Sequence, residues 1–278
     1  SACFVGAEAG NLTIQGTLGG GYSLTKLGTG TLTLAGNNGY GPAVSTGTLI
    51  SNGLLVVTEA GRINHAGADV ETGTPGSMLV VTNGGAVTNK TTRLGRAGAN
   101  TNNHAWISGS GSHLYCHNDL YIGETGSWNS MIIEDGASVF VNDLSRIGLA
   151  AASSNNAVTV KGSGSSWTNV TTLHVGSDGA LNSLIISNSG SVFNSDARVG
   201  SGASSFSNTV RVSGVGSTWS NDTLYVGYQG WGNSIIIEDG GRVTNQSLFI
   251  GWSAGSSDNT TVLGNSGSVL YCKDHAYV

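Results

Sequence analysis

An asparagine recurs along most of this chain at a nearly fixed interval. Asn103, Asn129, Asn156, Asn182, Asn208, Asn233 and Asn259 are separated by 26, 27, 26, 26, 25 and 26 residues. A repeat of this length marks a solenoid, a propeller or an array. Two copies are close in wording: Asn156-Ala-Val-Thr-Val-Lys-Gly-Ser-Gly-Ser-Ser-Trp167 and Asn208-Thr-Val-Arg-Val-Ser-Gly-Val-Gly-Ser-Thr-Trp219. They run on to Leu173-His-Val-Gly176 and Leu224-Tyr-Val-Gly227, with a related unit between them ending Arg198-Val-Gly200. Short aliphatic strands follow the markers, as in Met131-Ile-Ile133, Leu184-Ile-Ile186 and Ile235-Ile-Ile237. Earlier, Asn52-Gly-Leu-Leu-Val-Val57 and Gly76-Ser-Met-Leu-Val-Val81 keep the rhythm. The unit is too short for a four-strand propeller blade and has no helix for a leucine-rich repeat. It fits one coil of a three-strand solenoid.

Composition agrees. Gly is 45 of 278 residues, Pro is 2, and charged residues are 10%. The chain is poor in the Glu, Lys, Arg and Ala that favour helices. It also lacks the high net charge of a disordered segment, at −5. The expectation is an all-β parallel solenoid of about ten coils of roughly 26 residues. Residues 1–52 form its N-terminal coils, continuous as one domain with the regular coils of 53–278. No apolar run approaches the length of a membrane-spanning helix. The acidic balance and the lack of a basic stripe argue against nucleic acid. No leader-like stretch opens the sequence, which fits a mature or trimmed chain.

Residues 19–50 have their own wording. Gly19-Gly-Gly-Tyr-Ser-Leu-Thr-Lys-Leu-Gly-Thr-Gly-Thr-Leu-Thr-Leu34 is followed by Gly47-Thr-Leu-Ile50, and Leu24, Leu32 and Leu34 alternate with Thr and Gly. That is the period-2 pattern of half-buried strands. This stretch resembles the passenger-associated β-strand repeat of bacterial autotransporters. Residues 53–278 resemble the repeats of type V-secreted and exosortase-sorted surface proteins. The resemblance implies a right-handed parallel β-helix, exported to the bacterial cell surface and extracellular.

Superposing the coils aligns the residue before each Val-Gly or Ile-Gly: Arg93, Tyr121, Arg146, His174, Arg198, Tyr225, Phe249 and Tyr277. The Leu-x-Val alternation turns this position outward. Arginines and aromatics then interleave along one face, close enough for cation–π stacking. They form either a strip for glycan or a neighbouring chain, or a face that only stabilises itself. A second ladder reads Asn89, Cys116, Val141, Asn169, Asn194, Asn221, Asn245 and Cys272, where stacked amides can bond from coil to coil. Tyr228, Trp231 and Trp252 lie on neighbouring turns, with Trp128 on a comparable turn further away. They are the candidate contact residues for a sugar ring or a partner chain. Trp167 and Trp219 alternate with Leu114 and Leu270 and belong in the core.

Catalysis finds little support. Glu134-Asp135-Gly136 and Glu238-Asp239-Gly240 are four coils apart and read as turns. His113, Cys116 and His117, and the Cys272-Lys-Asp-His275 run, offer too few ligands on one side of a strand for zinc. No enzyme activity, cofactor or metal is expected. The chain also begins and ends at matching points of one coil, Phe4-Val-Gly6 against Tyr277-Val278. Open solenoid ends invite pairing, and a head-to-tail contact that does not close makes a fibre. The first functional expectation is therefore an extracellular filament subunit partnered by copies of itself. Its junction would comprise Cys3, Phe4, Val5, Cys272, Tyr277 and Val278, with Cys3 and Cys272 meeting across it. The second is a glycan-binding adhesin using the turn aromatics.

Overall fold

A computed structural model describes residues 3–42 and 45–278. They form a parallel β-solenoid with no helix, and so none long and apolar enough to cross a membrane. Each coil lays strands on three faces in turn. The first coil begins with Cys3–Gly6 on the first face, Asn11–Ile14 on the second and Gly19–Gly20 on the third. Leu24–Leu27 then returns to the first face and pairs with Cys3–Gly6. Near the other end, third-face and first-face segments merge into nine-residue strands: Ser191–Val199, Thr218–Val226, Arg242–Ile250 and Val269–Tyr277.

The second face is an eleven-stranded parallel sheet running from Asn11–Ile14 to Thr260–Leu263. The solenoid thus has eleven turns rather than ten. Equivalent residues Asn11, Thr31, Leu54 and Met78 are 20, 23 and 24 residues apart, and later coils settle at 25 to 27. Backbones run close at the corners of short and long coils alike. A Cβ at Gly36 would overlap the Gly16 carbonyl of the coil before, so only glycine fits there.

Register is strict, and it makes the core. Leu32, Leu55, Leu79, Ala105, Met131, Val158 and Leu184 form one inward row of the second face, all buried. On the third face Leu114, Val139, Trp167, Val192, Trp219 and Val243 stack in register, placing both tryptophans in the core as the repeat predicts. Large and small side chains alternate, so successive layers interlock. Each coil buries its apolar residues only against neighbouring coils, which makes stability close to a sum over neighbours.

The marker asparagines do more than keep time. From Asn129 to Asn259, each side-chain oxygen accepts from the backbone N–H and from Nδ2 of the preceding marker, at 2.9–3.1 Å, and that of Asn103 accepts from the Ser77 N–H. The ladder is buried, so each amide replaces water that cannot reach it. Its geometry depends on the preceding residue. Asn102, Trp128, Asn155, Leu181, Ser207, Gly232 and Asp258 all have left-handed φ of 52–62°.

Candidate functional site

The outward row on the first face is continuous. Arg93, Tyr121, Arg146, His174, Arg198, Tyr225, Phe249 and Tyr277 are each the direct register partner of the next. The same row reaches back through Glu71, Leu49 and Thr25 to Phe4. Its members face outward but cover one another. Tyr121 and His174 are only 7% and 9% exposed, which leaves the middle of the row little open to a ligand.

Charge in the first half of the row is largely matched internally. Arg93 meets Asp69 at 3.2 Å and Glu124 at 2.8 Å, and Arg96 forks onto Glu71 at 2.8 and 2.9 Å. The Arg93 guanidinium also lies 4.9 Å from the Tyr121 ring centre, with Arg146 on the other side at 5.7 Å. Burial, then a hydrogen bond to Asp119, pushes the Tyr121 phenol up to about 12. His174 lies between Arg146 and Arg198 in the row, and its Nδ1 is 2.8 Å from the Ser177 hydroxyl. Burial, then the two guanidiniums, lowers its pKa to about 3, so the ring is neutral.

Beyond Arg198 the row becomes an aromatic shelf. Tyr225, Phe249 and Tyr277 stack with ring centres 4.9 and 5.1 Å apart. Trp252 stands edge-on to Phe249 at 4.8 Å and lies parallel to Tyr228 at 6.4 Å. Arg198, held by Asp196 at 3.0 Å, caps Tyr228 at 4.3 Å. A hollow opens beside the shelf, lined by Phe249, Trp252, His275 and Tyr277. Such a surface offers flat apolar faces with one guanidinium at the edge. It can stack against a sugar ring or another planar group.

The other candidate aromatics do not join it. Trp231 stacks instead on Phe206 at 4.8 Å. Trp128 occupies the left-handed turn position just before Asn129, one residue later in the repeat than the position of Trp231, and is 59% exposed. The four candidate residues are thus one pair, Tyr228 and Trp252, and two separate rings. Proximity in sequence was misleading because a corner separates positions three residues apart.

The second ladder also differs from expectation. Its residues up to Asn245 are buried, but rung-to-rung bonds are few: Asn221 donates to Asn245 at 2.9 Å, and the Cys116 thiol lies 3.8 Å from Asn89 Oδ1. Asn194 accepts instead from Trp219 Nε1 at 2.9 Å. Trp167 Nε1 has no such acceptor, since Val141 stands in that row on the preceding coil. Cys116 is buried with its thiol pushed up to about 12, which leaves it protonated and unreactive.

The expected cysteine junction is not in register. Cys3 belongs to the inward row that ends at Ala276, whereas Cys272 continues the row of Asn245 on the third face. Rows continued across an end-to-end joint would not bring the two sulfurs together. Phe4 and Tyr277 do share a row, and both are more than half exposed. Val5 is half-buried beneath the first coil and Val278 is exposed at the other end. The acidic pairs are turns, as expected. Asp135 and Asp239 take left-handed φ, while Glu134 and Glu238 pair with Lys161 and Arg211 on adjacent coils.

Two features escaped sequence reasoning. Lys26 is fully buried, with Nζ donating to the carbonyls of Leu27, Gly28 and Asn52 at 2.9, 2.6 and 3.0 Å. Nothing in a half-buried Leu-Thr-Lys-Leu strand signals a lysine folded inward. The second is an outward aliphatic row on the second face. Its signal was present: three consecutive aliphatics, as in Met131-Ile-Ile133, must place the middle one on the outer side of a strand.

No family model matches the chain, and no curated protein sequence matches it. Among solved structures, the crystal structure of a TibC-catalyzed hyper-glycosylated TibA fragment is 17% identical, covering 98% of this chain and 97% of that one at a TM-score of 0.32.

Proposed function

We propose that this chain is a non-enzymatic structural rod of a bacterial surface protein. The observation that carries the reading is the unbroken marker ladder, seven asparagines bonded in series from Asn103 to Asn259. It ties each coil from Asn103 onward to the next through largely buried amides, as a spacer under tension requires. The wording of residues 19–50 and 53–278 supports an extracellular location. Stacking head-to-tail into a fibre extends this reading. The last coil leaves inward-row residues such as Leu263 exposed, a rung to which another coil can add. The first face carries both the first strand and the end of the last strand. A second copy would therefore have to release Cys3–Gly6 to continue the second and third faces without a gap.

Electron microscopy across a concentration series tests this. Fibres with an axial repeat near ~50 Å, eleven strands about 4.8 Å apart, are the expected outcome, and Leu263→Lys should abolish them. Short rods at every concentration would sink the fibre.

A second reading has its own observation, the parallel Tyr228 and Trp252 rings with Arg198 at their edge. In it the rod displays a glycan site on its side. A glycan array probed with the chain and with Trp252→Ala decides: a hit lost in the variant supports it, and no hit removes it.

A further inference from the structure

The middle position of every second-face strand points away from the core. In register it reads Val56, Val80, Trp106, Ile132, then Thr159, Ile185, Arg211, Ile236 and Val262. From Val56 to Ile132 the row is aliphatic and aromatic without a break, with Val80 covered at 6% exposure, and such a stripe is unusual on an outer sheet face. Its flanks are suited to contact. On one side run Leu54, Met78 and His104, which widen the stripe, and then Ser130, Ala157, Ser183, Thr209 and Ser234, small enough for another sheet to approach. On the other side Glu134 is matched by Lys161 at 2.8 Å, and Glu238 by Arg211, whose guanidinium is thereby held. Trp106 is fixed by its indole N–H, which donates to Glu134 at 2.6 Å, and its ring remains 37% exposed.

We infer that this second face is a lateral docking surface for a second copy of the chain, packed sheet against sheet. Two arguments select that partner. The face has its charges paired within the chain, so an identical face meets it without repulsion, whereas a strongly charged partner gains nothing. Its size also fits. Eleven strands about 4.8 Å apart, each about 16 Å long, give roughly 750 Å² per copy, close to the ~800 Å² per partner of a stable interface. A self-complementary patch closes on itself as a two-fold dimer, with the middle of the stripe near the axis. Trp106 and Ile132 then lie at its centre, where an aromatic anchor contributes most. The pairing does not depend on how the ends behave, so it stands or falls separately from the fibre.

Sedimentation of the purified chain over a wide concentration range is the test, with Ile132→Glu, Ile132→Lys and Ile132→Thr. With end-to-end growth blocked by Leu263→Lys, the chain should show a monomer–dimer equilibrium. Either charged variant should weaken it by at least about 100-fold through like charges at the axis. Mixing the two charged variants should restore it. Ile132→Thr copies the rung at Thr159, preserves the fold and should weaken pairing about tenfold. Thermal unfolding of each variant separates lost pairing from lost folding. A Leu263→Lys chain that stays monomeric, pairing in that background that Ile132→Glu leaves unchanged, or a stripe that takes up only lipid vesicles would each overturn the inference.

Discussion

His174 lies between two guanidiniums on a covered face, where a third positive charge has no place. Its ring is neutral in the folded chain down to about pH 3, because burial and the Arg198 and Arg146 charges oppose protonation. In the unfolded chain an ordinary histidine takes up its proton near pH 6.5. The folded pKa is the lower of the two, so the stabilisation is complete above pH 6.5 and is lost as pH falls toward 3. The slope attributable to this residue is about 1.4 kcal/mol per pH unit in that window. His174→Phe keeps a ring for the guanidiniums and removes the titration. Urea unfolding at a series of pH values should show the variant losing less stability between pH 6 and 4. Equal slopes would contradict the assignment. The repeat placed His174 correctly, since the residue before Val-Gly is fixed by counting. Its burial was hidden, because covering comes from the neighbouring coils and no single strand records it. Lys26 is the opposite case, a lysine on a strand whose inward turn depends on three carbonyls gathered from two coils.

At the scale of the coil, the corner before each marker asparagine decides whether the ladder can form. The residue there is left-handed in every coil from Asn102 to Asp258. Asn, Asp and Gly tolerate that conformation, whereas other side chains cost roughly 1 kcal/mol or more. Leu181 is such a misfit, at φ 58° and half exposed, so it gains little from packing. Leu181→Asn should raise the melting temperature by about 1–3 °C, the shift expected for some 0.5–1 kcal/mol in a chain of this size. A fall on calorimetry would show that the Leu181 side chain packs more than its exposure indicates. The marker period was plain in the sequence, and it gave the coil length and the strand positions. It did not show which asparagine row bonds continuously. Both rows alternate with buried residues, but only the marker row presents a backbone N–H and an Nδ2 together to the oxygen of the next coil. That depends on the curvature of the corner. The short early coils were missed because residues are lost from the turns, which leaves the strand pattern unchanged.

For the whole molecule, a solenoid held by neighbour contacts should tolerate losing one complete coil. Residues 182–207 are 26 positions, one marker interval. Their removal joins Leu181 to Asn208, so the marker ladder passes directly from Asn156 to Asn208. Asn169 moves beneath Trp219 in place of Asn194 and can accept its indole proton. On the first face, His174 meets Tyr225 rather than a guanidinium. Most rows are thus refilled, but on the third face Trp167 comes directly against Trp219 without Val192 between them, an overpacked contact that should lower the melting temperature without unfolding the rod. The shortened chain should keep its β-type circular dichroism and unfold cooperatively, with a rod shorter by about 4.8 Å in small-angle scattering. Removing residues 182–194 alone takes out half that interval. It sets the first-face segment 195–199 above a second-face strand and the next second-face strand above a third-face one, breaks the inward rows and should leave no folded protein. If both deletions fold equally well, stability does not reside in the register of the rows. If neither folds, the coils are coupled over more than their nearest neighbours.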